Sequence, residues 1–218
     1  MEQNLQKVIE KRIERTMESL RKNRMDAYFV KTKEEVVPLI ESLCKEGENV
    51  AAGGSVTLAE CGVMDHLRSG RYNFWDRYAP GVDSTEMMRK AFFADSYFAS
   101  SNAITEEGEL YNVDGNGNRV AAMIYGPSQV IVVAGYNKIV ADMGEAVTRL
   151  EKIASPANVM RLDLPAPCKV TGQCMNCRSE GRICCQFVKM GFQRNAGRVK
   201  VILVGEELGV LLSVGKEI

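Results

Sequence analysis

Two stretches hold most of the residue types that could do chemistry in this chain. The first is NVAAGGSVTLAE, Asn49–Glu60. Its apolar run Val50-Ala51-Ala52 predicts a buried strand that breaks at Gly53-Gly54, and Ser55–Glu60 then predicts the first turns of a helix. Paired glycines let the backbone turn tightly and come close to a ligand. Ser55 is a good N-cap, and the helix it opens would offer unpaired N–H groups and the positive end of a dipole. A junction of this kind suits an anion. It lacks the G-x-G-x-x-G of a dinucleotide fold and the G-K-S/T ending of a P-loop. The competing reading is a plain tight turn between strand and helix.

The second stretch is PCKVTGQCMNCRSEGRICC, in which Cys168, Cys174, Cys177 and Cys184 follow one another at spacings x5, x2 and x6, with Cys185 adjacent. Four thiolates within seventeen residues, two of them in a CxxC, can wrap one soft metal ion. Gly172 and Gly181 relax the backbone between them, and Lys169, Arg178 and Arg182 would favour thiolates over thiols. Sulfur in a tetrahedron admits zinc or an iron–sulfur cluster. A metal would also explain how a segment with little apolar content stays ordered. A thiol redox switch and simple free cysteines are the alternatives. Cys44, on an amphipathic helix, reads as core. His66 is the single histidine; it follows Cys61 by five residues across Gly62, so an incidental helix-surface histidine outweighs a Cys–His nucleophilic pair.

The elements that must position these residues follow from patterning. The chain has 218 residues, 45% of them hydrophobic, which suits one medium α/β domain. Leu5, Val8, Ile9, Ile13, Met17 and Leu20 mark an amphipathic helix within residues 1–24, packing on the domain formed by 25–218 or on a second copy. Strands are predicted at Asp26–Val30, Val50–Ala52, Asn73–Tyr78, Asp95–Ser100, Gln129–Ala134 and Val199–Val204. Helices are predicted over Lys33–Lys45 (with Thr32 and Glu35 as a capping box), Ser84–Phe93 and Asp142–Ile153. Ala103–Thr105 and Glu109–Val113 flank Glu106-Glu107-Gly108 as a β-hairpin, and Asp114–Asn118 holds two turn signals. Residues 165–190 form the cysteine-rich insertion. Strands alternating with helices imply a mostly parallel sheet covered on both faces, with ligands at the C-terminal strand ends. The Gly53 loop, Ser101-Asn102 and Gly135 each follow a strand, so they could gather at one edge.

Lys+Arg and Asp+Glu both number 28, so a broad electrostatic footprint for nucleic acid is lacking. No apolar stretch reaches the roughly 18 residues of a membrane helix, and the N-terminus lacks the core of a signal peptide. The expected location is the cytoplasm, where seven cysteines argue for metal or reactivity rather than disulfides.

GGSVTLAECG (Gly53–Gly62), SSNAITEEGELYNVDGNGNR (Ser100–Arg119) and VIVVAGYNKIV (Val130–Val140) together resemble the LUD domain of lactate-utilisation proteins. There the same ordered segments recur as G-G-S-x-T-L, a G/S-x-N-A-I-x-E-x-G segment before an Asn-rich turn, and V-x-G-x-x-K-I-V. The resemblance implies a three-layer Rossmann-like fold akin to ribose-5-phosphate isomerase, glucosamine-phosphate deaminase and CoA-transferase folds. It implies that Gly53, Gly54, Ser55 and Thr57 hold an anion through N–H and hydroxyl donors. Lys138 resembles the family's K-I-V lysine and, with Glu107 (or Glu106), forms the candidate catalytic pair: a carboxylate moving a proton beside a bound carbonyl, a lysine stabilising the developing charge. Asn102, Asn116, Gly117 and Asn118 complete the candidate ligand-binding set, although Asp114–Asn118 can be merely a turn and Glu106-Glu107 merely hairpin-tip charges.

The function implied is a component of bacterial L-lactate, or related 2-hydroxy-acid, utilisation. It would act with iron–sulfur or flavin redox partners, and that context favours a [4Fe–4S] cluster over zinc in the tail. A stand-alone enzyme on a sugar phosphate or CoA ester, and a regulatory or scaffold protein with structural zinc, are the rival classes. Neither a membrane nor nucleic acid is expected as a partner; a homo-oligomer is allowed.

Overall fold

A computed structural model describes residues 3–210, so the outer ends of both expected units, residues 1–2 and 211–218, lie outside the described residues. The chain opens with α1 (Gln3–Lys22), then β1 (Asp26–Val30), α2 (Val36–Leu43) and β2 (Asn49–Ala52). After the glycine loop come α3 (Val56–Glu60), α4 (Val63–Arg68), β3 (Asn73–Phe74), α5 (Ser84–Lys90) and β4 (Ser96–Ala99). A hairpin of β5 (Ala103–Thr105) and β6 (Leu110–Asp114) leads into α6 (Asn118–Ile124) and β7 (Gln129–Gly135). Then follow β8 (Ile139–Val140), α7 (Met143–Arg149), α8 (Ser155–Arg161), α9 (Cys168–Thr171), β9 (Gln186–Met190) and β10 (Val199–Val204).

Six strands form a parallel sheet in the order β1-β10-β7-β4-β2-β3. Its central strands β7 and β10 are apolar over most of their length because both faces are covered. Val130, Val132 and Ala134 of β7 face one core with Ile13 and Leu20 of α1, Met123 of α6, and Ile104 and Leu110 of the hairpin. Ile131 and Val133 face the opposite core with Val36 and Ile40 of α2 and Leu58, Val63 and Leu67 of α3 and α4. A second sheet, β8-β5-β6-β9, lies beside the first, and its own core includes Ala146 and Leu150. Helix α1 is docked by Ile13, Thr16 and Leu20, and by Arg12, whose Nε meets Glu106 Oε1 at 2.7 Å.

Several local expectations are corrected. Thr32 makes no side-chain cap; residues 33–35 form a 3₁₀ turn, and Glu35 instead accepts from the Lys31 amide. The helix opened by Ser55 is split, because Gly62 turns left-handed (φ 69°) and restarts the chain as α4. The Asn73–Tyr78 strand shrinks to two residues, since past Phe74 the sheet ends and Asp76 accepts from Arg68 and the Tyr78 amide. Helices α6 and α8 and strand β9 stand where turns or connecting chain were expected. The helix predicted to stop at Ile153 runs on through a π-helical turn, Leu150–Ala154, into α8.

Candidate functional site

The chain leaves β2 toward β3 at one edge of the sheet and leaves β4 toward β7 on the other side. Such a reversal opens a crevice outside the carboxyl ends of the two strands, where open α/β sheets take their ligands. Gly53-Gly54 follows β2 and Ser100 follows β4, so both stand at that crevice. The Gly53 amide, bonded to the Phe98 carbonyl at 2.9 Å, carries the pairing one residue past the strand.

Lys138, just past the end of β7, reaches into this place. Its Nζ donates to Thr57 Oγ1 and to Ser100 Oγ, each at 2.7 Å. Ser100 Oγ in turn donates to the Val133 carbonyl at 2.6 Å, which fixes the hydroxyl as an acceptor for the lysine. Lys138 and Thr57 are both buried. Burial, reinforced by the like charges of Arg149 and Arg119 and opposed by Glu60, lowers the Lys138 pKa from 10.5 to about 7. An amine so placed exchanges its proton near neutrality, as a general base or nucleophile requires.

Two arginines frame the lysine. Arg149 of α7 donates to the carbonyls of Asn102 (2.6 Å), Asn137 (3.3 Å) and Val210 (3.2 Å), drawing three separate segments together. Arg119 of α6 pairs with Asp114 at 2.7 Å and donates to Asn112, to Asn102 Oδ1 and to the Ser100 carbonyl. Its stem lies against the glycine loop: a Cβ on Gly53 would sit 3.0 Å from Arg119 Cδ and 3.1 Å from Tyr97 Oη. A Cβ on Gly54 would sit 2.7 Å from Tyr78 Oη and 3.0 Å from an Arg77 nitrogen. Arg77 lies over the Tyr78 ring, and its buried Nε has no hydrogen-bond partner. Arg77, Asn118, Tyr97 and Trp75 line a small recess over Ala51 and Ala52 of β2.

The structure thus gathers Gly53, Gly54, Ser55, Thr57, Asn102, Asn118 and Lys138 at one end of the sheet. Ser55 serves as the N-cap, accepting from the Leu58 amide at 3.2 Å. Since α3 has only five residues, its dipole is short, and positive charge here comes mainly from Lys138, Arg119, Arg149 and Arg77. Glu60 Oε2 accepts from the Gly209 amide at 2.6 Å. The Glu106 carboxylate pairs with Arg12 and Arg15 of α1, and Glu107 is exposed at the hairpin tip, where Asn23 holds its carbonyl at 2.9 Å, whereas Lys138 is buried. Gly117 caps α6 with φ 82°, and Asn116 lies in the turn before it. Arg149 and the tail Glu206–Val210 carry no local sequence signal, whereas Ser100 and Arg119 are the two ends of the Ser100–Arg119 motif.

A wide hollow, about 820 Å³, lies at the opposite, amino ends of the strands, beside Glu48, Asp95, Gln129, Arg198 and Lys200. Its polar groups are already engaged: Glu48 and Gln129 bond Ser96 (both 2.7 Å), Arg198 donates to the Pro127 and Met123 carbonyls, and Lys200 meets Asp26. Size alone does not make it the site. His66 and Cys61 form no nucleophilic pair; His66 Nε2 lies 3.4 Å from Tyr72 Oη, and burial pushes the Cys61 thiol up to about 11. Cys44 is core, with its thiol likewise raised to about 11 by burial.

In the cysteine-rich segment Cys168 is buried, Cys174, Cys177 and Cys184 are half-buried, and Cys185 is exposed. Among the described residues no three His, Cys, Asp or Glu side chains stand close enough together to hold a metal ion as placed. Burial raises the Cys168 and Cys184 thiols, whereas hydrogen bonding from Ser179 lowers that of Cys177.

A family model described as LUD domain matches residues 13–204, and the chain belongs to that family, which is associated with lactate utilisation. Among solved structures the chain is similar to a DUF162 family protein from Deinococcus radiodurans. The two share 15% identity at a TM-score of 0.50, over 91% of this chain and 98% of that one, a likeness of fold. It also matches eIF2B beta and eIF2B delta from Chaetomium thermophilum, at 14% and 16% identity and TM-scores of 0.38 and 0.35. Those matches cover 52% and 53% of this chain and 44% and 50% of theirs. No curated protein matches the chain in sequence. Among the described residues no helix is long and apolar enough to cross a membrane.

Proposed function

We propose that the chain binds the carboxylate of a small 2-hydroxy or 2-oxo acid, L-lactate or pyruvate first, at the carboxyl ends of β2, β4 and β7, and serves lactate utilisation there. The observation that carries this reading is Lys138 Nζ held at 2.7 Å from both Thr57 Oγ1 and Ser100 Oγ beside a glycine turn. The excess of positive side chains over Glu60 and Asp114 suits an anion, and the unpaired Arg77 Nε is a donor left over for it. In its neutral form Lys138 accepts the hydroxyl proton of a bound 2-hydroxy acid. Conversion to the 2-oxo acid also releases two electrons and a second proton, which pass to a flavin or iron–sulfur redox protein acting as partner. A site of this kind needs Leu208–Val210 to lift, since Gly209 rests on Thr57 and Lys138.

Thermal denaturation with increasing L-lactate, pyruvate or a sugar phosphate tests the reading, because a ligand of the native state raises the midpoint by mass action. A rise with lactate or pyruvate is expected, absent in Gly54→Val, whose side chain would meet Tyr78 and Arg77, and in Lys138→Met. A rise with sugar phosphates alone would replace this reading with that of a stand-alone sugar-phosphate enzyme. No rise with any of them in the wild type would end it.

A further inference from the structure

The segment between α8 and β9 is not used by the strand-end site, yet its backbone is arranged around its cysteines. Cys168 opens α9 and is packed with Val159, Leu164, Ala166 and Ile183, so its thiol is anchored at the base of the loop. Gly181 closes that loop: a Cβ there would lie 2.8 Å from the Pro165 carbonyl group, contact that only a glycine permits. The far end returns beside the near one, and Cys184 Sγ stops 3.0 Å from Ser155 Oγ. At the tip, the Cys174 amide donates to the Glu151 carbonyl at 2.9 Å. Asn176 takes a left-handed φ of 45°, so the CxxC chain folds back, and its amide points at Cys174 Sγ at 3.4 Å. Arg182 then bonds the carbonyls of both Cys177 and Cys184, joining the CxxC turn to the last cysteine.

From this geometry we propose that Cys168, Cys174, Cys177 and Cys184 form a tetrathiolate site for one thiophilic metal centre, zinc or a [4Fe–4S] cluster. The donor set fits either: four sulfurs, with Cys168 and Cys184 held at the base of the loop and the CxxC carried at its tip. The sulfurs as placed stand too far apart for one ion, and binding draws the tip inward. The tip can comply, because most residues of 171–180 are exposed and no strand or helix spans 172–185. Cys185 is left out: it faces solvent, with its Sγ 3.6 Å from the Arg182 carbonyl. None of these cysteines is among the residues around Lys138, so metal uptake is read without any ligand at the strand ends, and either reading can fail while the other stands.

The test is metal and sulfide analysis of the full chain, prepared without oxygen and then offered zinc alone or iron with sulfide. Thiols are then alkylated with and without metal and mapped by mass spectrometry. One zinc per chain in a colourless protein, or iron and sulfide with broad visible absorption, is expected, with Cys168, Cys174, Cys177 and Cys184 protected and Cys185 alkylated. Cys185→Ser should keep the metal; Cys174→Ser and Cys177→Ser, at the exposed tip where folding is least at stake, should lose it at least tenfold in affinity. Stoichiometric metal that protects a different set of thiols, or no uptake of either metal by folded protein, would overturn the assignment.

Discussion

Lys138 is the residue where burial and charge oppose each other most directly. With its native pKa near 7 against 10.5 for an ordinary lysine, the unfolded chain holds one proton more than the native one between those limits. Stability therefore rises with pH through that window, and below about pH 7 the cost of charging the buried amine is fully present. Lys138→Met removes the titration while keeping most of the side chain's volume. The difference in denaturation midpoint, wild type minus variant, should increase between about pH 7 and about pH 10 and stay flat below about pH 7. Two parallel curves would mean that the lysine titrates as an exposed one. Arg119 makes a different kind of contribution, because it touches the Ser100 carbonyl, Asn102 and Asp114 at once. Arg119→Ala strands Asp114 in a nearly buried position and is expected to destabilise the fold by about 3 kcal/mol, as removing one partner of a buried pair does. Urea denaturation measures it, and a loss under about 1 kcal/mol would show that the pair is readily replaced by water.

At the scale of elements, the joint between α1 and the β5–β6 hairpin depends on Gly108. Its φ is +79°, and a Cβ there would lie 2.4 Å from the carbonyl carbon of Ser19, a backbone atom that cannot swing aside. Gly62, between α3 and α4, has a similar φ of +69° but open space around it. Gly62→Ala should then cost only the left-handed strain, about 1 kcal/mol, and Gly108→Ala clearly more, with α1 loosened from the hairpin. Equal losses by denaturation would show that the contact relaxes. The same contrast explains what could be read in advance. Strands β2, β7 and β10 and the Gly53-Gly54 turn were legible because apolar runs and glycine pairs are local signals. Helix α6 was hidden behind the turn residues Asp114–Gly117, and β9 behind the paired cysteines, since QFVKM pairs with β6 only through tertiary contact. Lys138 is legible as a motif residue, but its partner Thr57 lies 81 positions away, and no spacing rule places the hairpin-tip Glu107 relative to either.

Across the whole molecule the two candidate sites are joined by one run of contacts. The Cys185 amide bonds the Asp114 carbonyl at 3.0 Å, Gln186 pairs in register with Asp114, and Asp114 holds Arg119 beside Ser100 and Asn102. The six-stranded sheet is not in that path: β10 and β7 are sealed on both faces and should exchange their amide hydrogens only on global unfolding. Metal taken up by the cysteine loop should therefore slow exchange in 172–186 first, and next in 110–120, while β1, β7 and β10 are unchanged. Hydrogen exchange followed by mass spectrometry, with and without zinc on the full chain, reads all these peptides in one experiment. Slowing in 172–186 without any in 110–120 would mean that β9 isolates the loop and that the cysteine segment and the Lys138 site act separately. Slowing in both would make the loop a brace for the Arg119 end of the site, because Asp114 is the residue on which the β9 pairing and the arginine both bear.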